Sequence, residues 1–285
     1  MILYIIYAFI ALSVLLTTIA GTRPSLVLSI ANRWIRWSLM ALCFAYVVQS
    51  MEWSAKPLWL LCVTAFFAWF VIETIYNWLV IKALNKSDIP LFPIYRKDTQ
   101  EGFWPAFFLQ EKEAIEQAGF KKIDLLFTEI GGELKIRSIF FDDADSKIRL
   151  QVMFLPQNNK PFGVFYTLLS KTADKLYLTD NMALPFGGFF PENWSVMRRP
   201  LSSFNSLYKK HKKRLEAESL LKIEDSALEQ VTKQQRLLEA YNTEAGFIHK
   251  KPSLSEEEGR ISPEGCYRIW KELWLLNYFG KSLTY

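Results

Sequence analysis

Residues 2–20 read ILYIIYAFIALSVLLTTIA, a run of nineteen residues without a charged side chain. A helix needs about 20 apolar residues to cross a hydrocarbon core of roughly 30 Å, so this run predicts a transmembrane helix. A cleavable signal peptide is the alternative, because Thr18-Ile19-Ala20 resembles a cleavage site. The basic segment typical of signal peptides is missing and further apolar runs follow, which favours the transmembrane helix.

Two more apolar runs follow, at residues 35–53 and 57–81. We expect each to cross the membrane as a helix, and the short link 54–56 would make them a tight antiparallel hairpin. Residues 1–97 would then hold three spans and a juxtamembrane segment. Tryptophans prefer the headgroup level of a bilayer, and several lie near the ends of the two runs. These are Trp34, Trp37, Trp53, Trp59 and Trp78.

The basic residues around the runs predict the orientation of the chain. Basic loops stay in the cytoplasm, and both the connection 21–36 and the segment 82–97 are rich in Lys and Arg. We therefore expect the N-terminus outside and residues 98–285 as a cytoplasmic domain. The residues that carry this prediction are Arg23, Arg33, Arg36, Lys82, Lys86, Arg96 and Lys97.

The net charge of +5 belongs to the membrane part of the chain. Residues 1–97 hold eight of the 34 Lys and Arg and three of the 29 Asp and Glu, which leaves 26 of each sign in residues 98–285. A neutral domain lacks the positive surface of a general nucleic-acid binder, so we expect no nucleic acid as a partner. The three cysteines have no spacing typical of a disulfide framework or a zinc site.

Glu73 lies inside the third apolar run. An acid in the hydrocarbon region is costly, so it indicates either a functional site or a nearby partner. We expect Glu73 to pair with Arg36, or less directly with Arg33, because the cytoplasmic ends of two antiparallel helices are adjacent. The alternative is that Glu73 reaches the inner membrane surface and stabilises the packing of the hairpin. Three spans offer too few polar groups for a transport pathway.

Residues 98–285 read as an α+β domain. A short helix at 110–119 precedes runs in which apolar and polar residues alternate, as strands require. The turns between these runs are too short for crossover helices, so we expect an antiparallel sheet with helices on one face. The predicted strands are 123–130, 134–141, 148–155, 162–170 and 175–179, and the later helices run from Ser202 or Ser203 to 223, over 226–245, and from Ser262 onward.

The densest charge cluster of the chain is KKHKKR at residues 209–214. A domain tethered to a membrane could hold such a patch against anionic lipid, at about 1 kcal/mol per cation. The alternative is a solvated helix balanced by neighbouring glutamates. The residues that we expect to contact the membrane or an acidic partner are Lys209, Lys210, Lys212, Lys213 and Arg214.

Residues 184–194 read LPFGGFFPENW, which is too apolar for a simple exposed loop. Packing over the core of the domain is the favoured interpretation, because large aromatic side chains are usually inside. A recognition surface, or a lid over an enzyme site, is the alternative. The paired glycines match no phosphate-binding pattern.

No residue pattern supports catalysis. His211 and His249 lie beside lysines, and no carboxylate is placed to orient either ring. Asp142, Asp143 and Asp145 resemble the start of a calcium loop, but the glycine and the final glutamate are missing, so they indicate a hairpin turn. We therefore expect no catalytic residue, no cofactor and no metal ion.

The order of a short helix, a meander that includes residues 166–181, and the segment 199–211 is similar to membrane-anchored bacterial proteins without an assigned activity. This resemblance implies no catalytic residue and favours a bacterial inner membrane. We expect an interaction or scaffold protein whose cytoplasmic domain binds a protein partner or the anionic membrane surface. The alternative is an enzyme that acts on a membrane-associated substrate, with loop 184–194 as its lid.

Overall fold

The computed structural model describes residues 2–22, 25–86, 92, 94–99, 108–130, 134–157, 160–249 and 260–282. Within these residues the chain is α+β, with seven helices and one sheet of seven strands. The helices are α1 (Ile2–Thr22), α2 (Leu26–Ser50), α3 (Leu58–Lys86), α4 (Leu109–Gln117), α5 (Phe204–Leu215), α6 (Ala227–Glu244) and α7 (Pro263–Phe279). The strands are β1 (Tyr95–Lys97), β2 (Lys121–Ile130), β3 (Leu134–Asp142), β4 (Arg149–Gln157), β5 (Lys160–Lys171), β6 (Leu176–Asp180) and β7 (Trp194–Arg198).

The chain forms two compact units. The first consists of Met1–Leu84 and Ile269–Leu283, and the second of Asn85–Arg268 with Thr284–Tyr285. The predicted division near residue 97 assigned all of residues 98–285 to the soluble domain. The structure differs at the C-terminal side, because most of α7 belongs to the first unit.

Two helices of the first unit are long and apolar enough to cross a membrane. The qualifying segments are Ile2–Gly21 in α1 and Leu58–Asn85 in α3. Only 6% of each apolar window is buried within the structure, so packing inside a protein core does not account for the apolar surface. Both segments therefore have the length and the exposed apolar surface that a membrane-spanning helix requires.

Helix α2 does not qualify, so the predicted span 35–53 is not supported. Arg33 and Arg36 lie in its N-terminal half, and the helix ends at Ser50. The part of α2 that follows Arg36 is fourteen residues long, about 21 Å at 1.5 Å per residue. That is short of the roughly 30 Å of a hydrocarbon core. The structure thus supports two candidate spans where the sequence predicted three.

One stripe of α2 is buried within the first unit. It consists of Trp37, Ala41, Ala45 and Val48, which recur every three or four residues and so share one face of the helix. The ring of Trp37 makes edge contacts with the rings of α3 and α7. The centroid distances are 5.3 Å to Phe66, 6.2 Å to Phe70, 6.2 Å to Trp274 and 4.9 Å to Tyr278.

The end of α7 is fitted closely to α2. The indole Nε1 of Trp34 donates a hydrogen bond to the carbonyl oxygen of Tyr278 at 3.1 Å. Gly280 follows the helix with a φ of +66°, a left-handed conformation that favours glycine. A Cβ at this position would lie 2.9 Å from side-chain atoms of both Leu26 and Ile30. The left-handed conformation therefore favours glycine at residue 280, and a larger residue would also displace the ends of the Leu26 and Ile30 side chains.

The sheet of the second unit has the strand order β1-β2-β3-β4-β5-β6-β7. Neighbouring strands from β1 to β6 are antiparallel, and the five predicted strands are confirmed. Strands β1 and β7 were not predicted. Strand β7 runs parallel to β6, with Leu178 opposite Val196. The purely antiparallel prediction is wrong for this pair, because a crossover of about a dozen residues suffices for parallel strands and the non-helical residues 181–193 provide it.

Helices cover both faces of the sheet, whereas the sequence predicted helices on only one face. Successive residues of a strand point to opposite faces, and β3 shows both environments. Ile139 packs in one cluster with Leu207 of α5, while Phe140 packs in another with Val231 of α6. Helices α5 and α6 therefore lie on opposite sides of the sheet, which buries it in the middle of the second unit.

Helix α6 begins directly after Ser226, as predicted. The hydroxyl of Ser226 accepts from the backbone N–H of Glu229, whose carboxylate accepts from the backbone N–H of Ser226, a reciprocal capping box. Helix α5 is shorter than predicted and ends at Leu215 instead of residue 223. After α5 the chain returns to the sheet, where Leu221 forms an isolated antiparallel bridge with Lys171 at the end of β5.

A buried arginine links α6 to the sheet. Arg149 donates to both carboxylate oxygens of Asp142, at 2.7 and 2.8 Å, and to the side-chain oxygen of Gln230 in α6 at 2.7 Å. It also donates to the carbonyl oxygen of Asp225 at 2.9 Å. Because Arg149 and Asp142 are both buried, these hydrogen bonds offset the cost of removing two charges from water.

Candidate functional site

Four of the predicted membrane-contact residues form one exposed surface on α5. Lys209, Lys210, Lys212 and Lys213 are exposed and lie within an arc of about 160° at 3.6 residues per turn. The opposite side of the helix packs against the sheet. Its buried residues are Phe204, Leu207, His211 and Leu215. We call the four lysines the α5 lysine surface.

Arg214 does not belong to this surface. Its guanidinium donates to the carbonyl oxygens of Leu178 and Ser195, each at 2.8 Å, and to the hydroxyl groups of Thr179 and Ser195. These contacts hold the side chain against β6 and β7. The structure therefore gives Arg214 a role in attaching α5 to the sheet, while the four lysines are exposed.

His211 is fully buried and its two ring nitrogens both have hydroxyl partners. Nε2 lies 3.1 Å from Ser170 Oγ, and Nδ1 lies 2.8 Å from Thr179 Oγ1. Burial, and in second place the charge of Arg214, lowers the pKa of His211 to about 3. The imidazole is therefore neutral at physiological pH. Hydroxyl partners replace the carboxylate that would orient a catalytic base, so the ring serves to join α5 to β5 and β6.

Loop 184–194 is held in place by side chains of two helices. Asn242 of α6 makes hydrogen bonds with the backbone N–H and C=O of Phe189. Arg268 of α7 donates to the carbonyl oxygen of Gly187 at 2.8 Å, and its guanidinium lies 3.8 Å from the ring centroid of Phe189. A Cβ on Gly188 would lie 2.6 Å from Asn242 Oδ1, so the backbone approaches α6 closely.

These contacts favour the packing interpretation of the loop over the lid. Most of the loop lies within the crossover that joins β6 to β7, and Phe189 near its centre is hydrogen-bonded through both its backbone N–H and its backbone C=O. A lid needs hydrogen bonds that open easily. Movement here would break two hydrogen bonds to the buried Asn242, and each buried group left without a partner costs about 1–3 kcal/mol.

The acidic residues of the β3–β4 turn have structural partners. Asp143 Oδ1 accepts from the backbone N–H groups of Lys147 and Ile148, at 2.7 and 3.0 Å, which confirms the predicted hairpin turn. Asp142 pairs with Arg149, as described above. Among the residues that the structure describes, no group of three or more His, Cys, Asp or Glu side chains is arranged to hold a metal ion.

Glu73 has two partners in the first unit. Arg33 lies 3.7 Å from its carboxylate, and the hydroxyl group of Tyr278 donates a hydrogen bond to Glu73 Oε1. The guanidinium of Arg33 also lies 5.2 Å from the centroid of the Tyr278 ring. Within the described part of the chain, Arg36 is not within ion-pair distance of Glu73. The partner seen is thus Arg33, because the turn of α2 that carries Arg33 faces Glu73.

An open cavity of about 770 Å³ lies between α1, α2 and α3. Both Arg33 and Arg36 line it, as does Glu73. The apolar part of the lining comes from all three helices. It consists of Ile10, Val14, Trp37, Leu39, Met40, Trp69 and Ile72.

Some of the residues that form these sites could not be identified from the sequence. Tyr278 lies more than 200 positions from Glu73, and only the return of α7 to the first unit brings them together. Asn242 lies in a polar helix with no motif around it. His211 did have a signal, because it continues the spacing of Phe204, Leu207 and Leu215 and so occupies the buried stripe of α5.

Comparison of the chain with protein-family models, with curated proteins and with solved structures found no match. Functional inference therefore depends on the geometry of the sites described above.

Proposed function

We propose that the chain is a membrane-anchored binding protein of a bacterial inner membrane, whose second unit lies in the cytoplasm and contacts the anionic membrane surface. The α5 lysine surface supports this proposal most directly. Four cations are exposed side by side, while Arg214 and His211 of the same helix are turned to the sheet. A local positive surface on a unit without a general charge excess is suited to a local anionic partner.

Electrostatics sets the scale of this contact. Each lysine close to an anionic leaflet contributes about 1 kcal/mol, so four give an attraction that is effective for a unit already tethered to the membrane. A tether raises the local concentration, and a weak contact then suffices. An acidic protein partner would use the same lysines, and the experiment below separates the two.

The anchor in this proposal is the pair α1 and α3, with α2 as a third crossing over its full length of 25 residues, about 37 Å, in which the long side chains of Arg33 and Arg36 reach the cytoplasmic headgroups. The distribution of basic residues supports three crossings, because Arg33, Arg36 and Lys82 then all lie at the cytoplasmic side. Arg23 lies outside the described residues, as does the side chain of Lys86. Three crossings place the N-terminus outside and the second unit inside.

The proposal is tested with the full chain in lipid nanodiscs. The rate at which an amine-specific acylating reagent modifies each lysine is measured by mass spectrometry, in zwitterionic discs and in discs with increasing phosphatidylglycerol content. We expect modification of Lys209 and Lys213 to slow several-fold in anionic discs. The effect should fade as salt shortens the screening length from about 10 Å at 0.1 M toward 3 Å at 1 M.

The internal references are Lys121, Lys175 and Lys222, which are exposed elsewhere on the second unit. Their rates should not depend on lipid composition. Equal rates at Lys209 and Lys213 in both kinds of disc would contradict the membrane contact. Protection that appears only in native membranes, and not in pure anionic lipid, would identify an acidic protein as the partner instead.

A further inference from the structure

The cavity of the first unit has the composition of a site for an amphiphilic ligand. Its apolar lining comes from seven side chains of α1, α2 and α3, and its polar lining includes Asn32, Arg33, Arg36 and Glu73. Its volume of about 770 Å³ is within the range of roughly 300–1,000 Å³ that small-molecule sites occupy. Two of the three helices that line it, α1 and α3, are the candidate membrane spans.

The charges in the cavity favour an anion. The carboxylate of Glu73 already has Arg33 and Tyr278 as partners. Arg36 also lines the cavity, and within the described residues no carboxylate neutralises it. Counting these three ionised groups, the cavity wall carries one positive charge in excess. A guanidinium offers several N–H donors in a planar arrangement that matches a phosphate or carboxylate group.

Two neutral polar side chains of the wall, Ser13 and Asn32, are occupied. Ser13 Oγ donates to Asn32 Oδ1 at 2.9 Å, and Asn32 Nδ2 donates to Thr17 Oγ1 at 3.0 Å. These bonds join α1 to α2. The remaining polar side chains of the wall, Ser29, Tyr76 and Asn77, carry no charge, so Arg36 is the group that would bind an anionic head, while an apolar tail would contact the apolar part of the wall.

We propose that this cavity binds an anionic lipid, with Arg36 bonded to the phosphate of the headgroup and the acyl chain against Trp69, Met40 and Ile72. The same chemistry could be supplied by free phosphate, but an inorganic ion would leave the apolar wall unfilled. Binding is independent of the α5 lysine surface, since every residue that lines the cavity belongs to the first unit.

The test uses the full chain in detergent micelles and follows quenching of tryptophan fluorescence by phosphatidic acid with brominated acyl chains. The parallel titrations contain brominated phosphatidylcholine, and unlabelled phosphatidic acid or inorganic phosphate as competitor. We expect saturable quenching by phosphatidic acid, competition by its unlabelled form, and much weaker quenching by phosphatidylcholine. Trp69→Phe should remove a large part of the quenching, because Trp69 lines the cavity.

Arg36→Gln should weaken the binding of phosphatidic acid about tenfold, the loss expected of one charge-assisted hydrogen bond. Arg36→Lys, which keeps the charge, should lose less. Lys56→Gln removes a cation from the exposed link between α2 and α3 and is the matched control, with unchanged affinity expected. Met40→Trp, which fills the cavity and keeps Arg36, should also weaken binding.

Three results would overturn the proposal. They are equal affinity for phosphatidic acid and phosphatidylcholine, displacement of the lipid by millimolar inorganic phosphate alone, and unchanged affinity of an Arg36→Gln protein that keeps the wild-type circular dichroism spectrum. A protein in which the four lysines of α5 are replaced by Gln should bind phosphatidic acid as the wild type does. Failure of the cavity proposal is therefore distinguishable from failure of the membrane contact by α5.

Discussion

Asn242 forms with Phe189 the two hydrogen bonds that a neighbouring strand would otherwise supply. Its Nδ2 donates to the carbonyl oxygen of Phe189 at 2.9 Å, and its Oδ1 accepts from the N–H of Phe189 at 2.7 Å. Asn242 is fully buried. One side chain of α6 thus satisfies the backbone of Phe189 at the centre of an aromatic loop, which pairs with none of the described strands.

Asn242→Ala should leave both backbone groups of Phe189 without their partner. We expect the free energy of unfolding to fall by about 2–3 kcal/mol, since each buried orphaned group costs about 1–3 kcal/mol. Amide hydrogen exchange of residues 184–194 should accelerate more than that of β3 and β4. Thr243→Ala is the matched control, because its hydroxyl bonds only to Glu239 within the same helix. Unchanged exchange in the loop would show that Asn242 does not hold it.

The buried His211 predicts a loss of stability in mild acid. Its folded pKa of about 3 is lower than the ordinary value of 6.5, so the unfolded chain binds the proton first as pH falls. The stabilisation is complete above pH 6.5 and is lost progressively between pH 6.5 and 3. We expect the free energy of unfolding to be about 2–3 kcal/mol lower at pH 4.5 than at pH 7.5.

Urea denaturation of the detergent-solubilised chain, followed by circular dichroism, measures this pH dependence. His211→Gln should be less stable at pH 7.5, because the Gln side chain does not reproduce the ring's packing, but its pH profile should be flatter. Thr243→Ala, whose hydroxyl bonds to the backbone of Glu239, should keep the slope of the wild type. Equal slopes for wild type and His211→Gln would refute the assignment of the pH dependence to His211.

The buried pair of Arg149 and Asp142 predicts an asymmetric response to substitution. Asp142→Ala leaves the guanidinium of Arg149 buried without its carboxylate, and we expect a loss of about 3–5 kcal/mol. The double variant Asp142→Leu with Arg149→Met removes both charges and should recover much of that loss. Thermal unfolding of the three proteins measures the difference. A double variant less stable than Asp142→Ala would contradict this account.

Glu73 should depend on Arg33 more than on Arg36. Arg33→Ala removes the cation at 3.7 Å, whereas Arg36 makes no ion pair with Glu73 in the described structure. We expect Arg33→Ala to lower stability in detergent by about 0.6–2 kcal/mol, the scale of polar interactions in membrane proteins, and Arg36→Ala to lower it less. A larger effect of Arg36→Ala in thermal unfolding would restore the pairing that the sequence first suggested.

The number of membrane crossings can be counted with reporters. We expect a reporter that is active only outside the cytoplasm to be silent after Tyr285 and active after Ser54, and an N-terminal tag to be accessible from outside. If α2 does not cross, the N-terminus and the second unit lie on the same side. If the C-terminal fusion is silent, an N-terminal tag that is accessible from outside therefore indicates three crossings, and an inaccessible tag indicates two.

Much of the second unit could be predicted from the sequence because its signals are local. Alternation in β3, the acidic turn after Asp142 and the Ser226–Glu229 capping box each depend on residues close in the chain. Strand β1 has only three residues, too few to show a period of two. Strand β7 is parallel to β6 and is joined to it by a loop. Because we expected a parallel pair to be joined by a helix, strand β7 was not predicted.

The sites were less predictable because they depend on which side of a helix faces its neighbour. Arg33 and Arg36 are three residues apart, and the sequence does not determine which of them faces Glu73. Arg214 reads as part of a basic run, yet only the fold shows that its guanidinium reaches Ser195 in β7. The sequence also failed to predict that helices cover both faces of the sheet. The order of the helices along the chain does not determine which face each helix packs against.

The division of the chain has a consequence for its synthesis. The second unit is inserted into the first, whose two segments, Met1–Leu84 and Ile269–Leu283, are separated by 184 residues. At about 5–20 residues per second, a ribosome needs roughly 10–40 s to make this insert. Until then, Trp37 lacks the ring contact of Tyr278 and Glu73 lacks its hydroxyl donor. The nascent apolar helices therefore spend this interval without their final packing partner, and α7, which is made after the insert, completes the first unit.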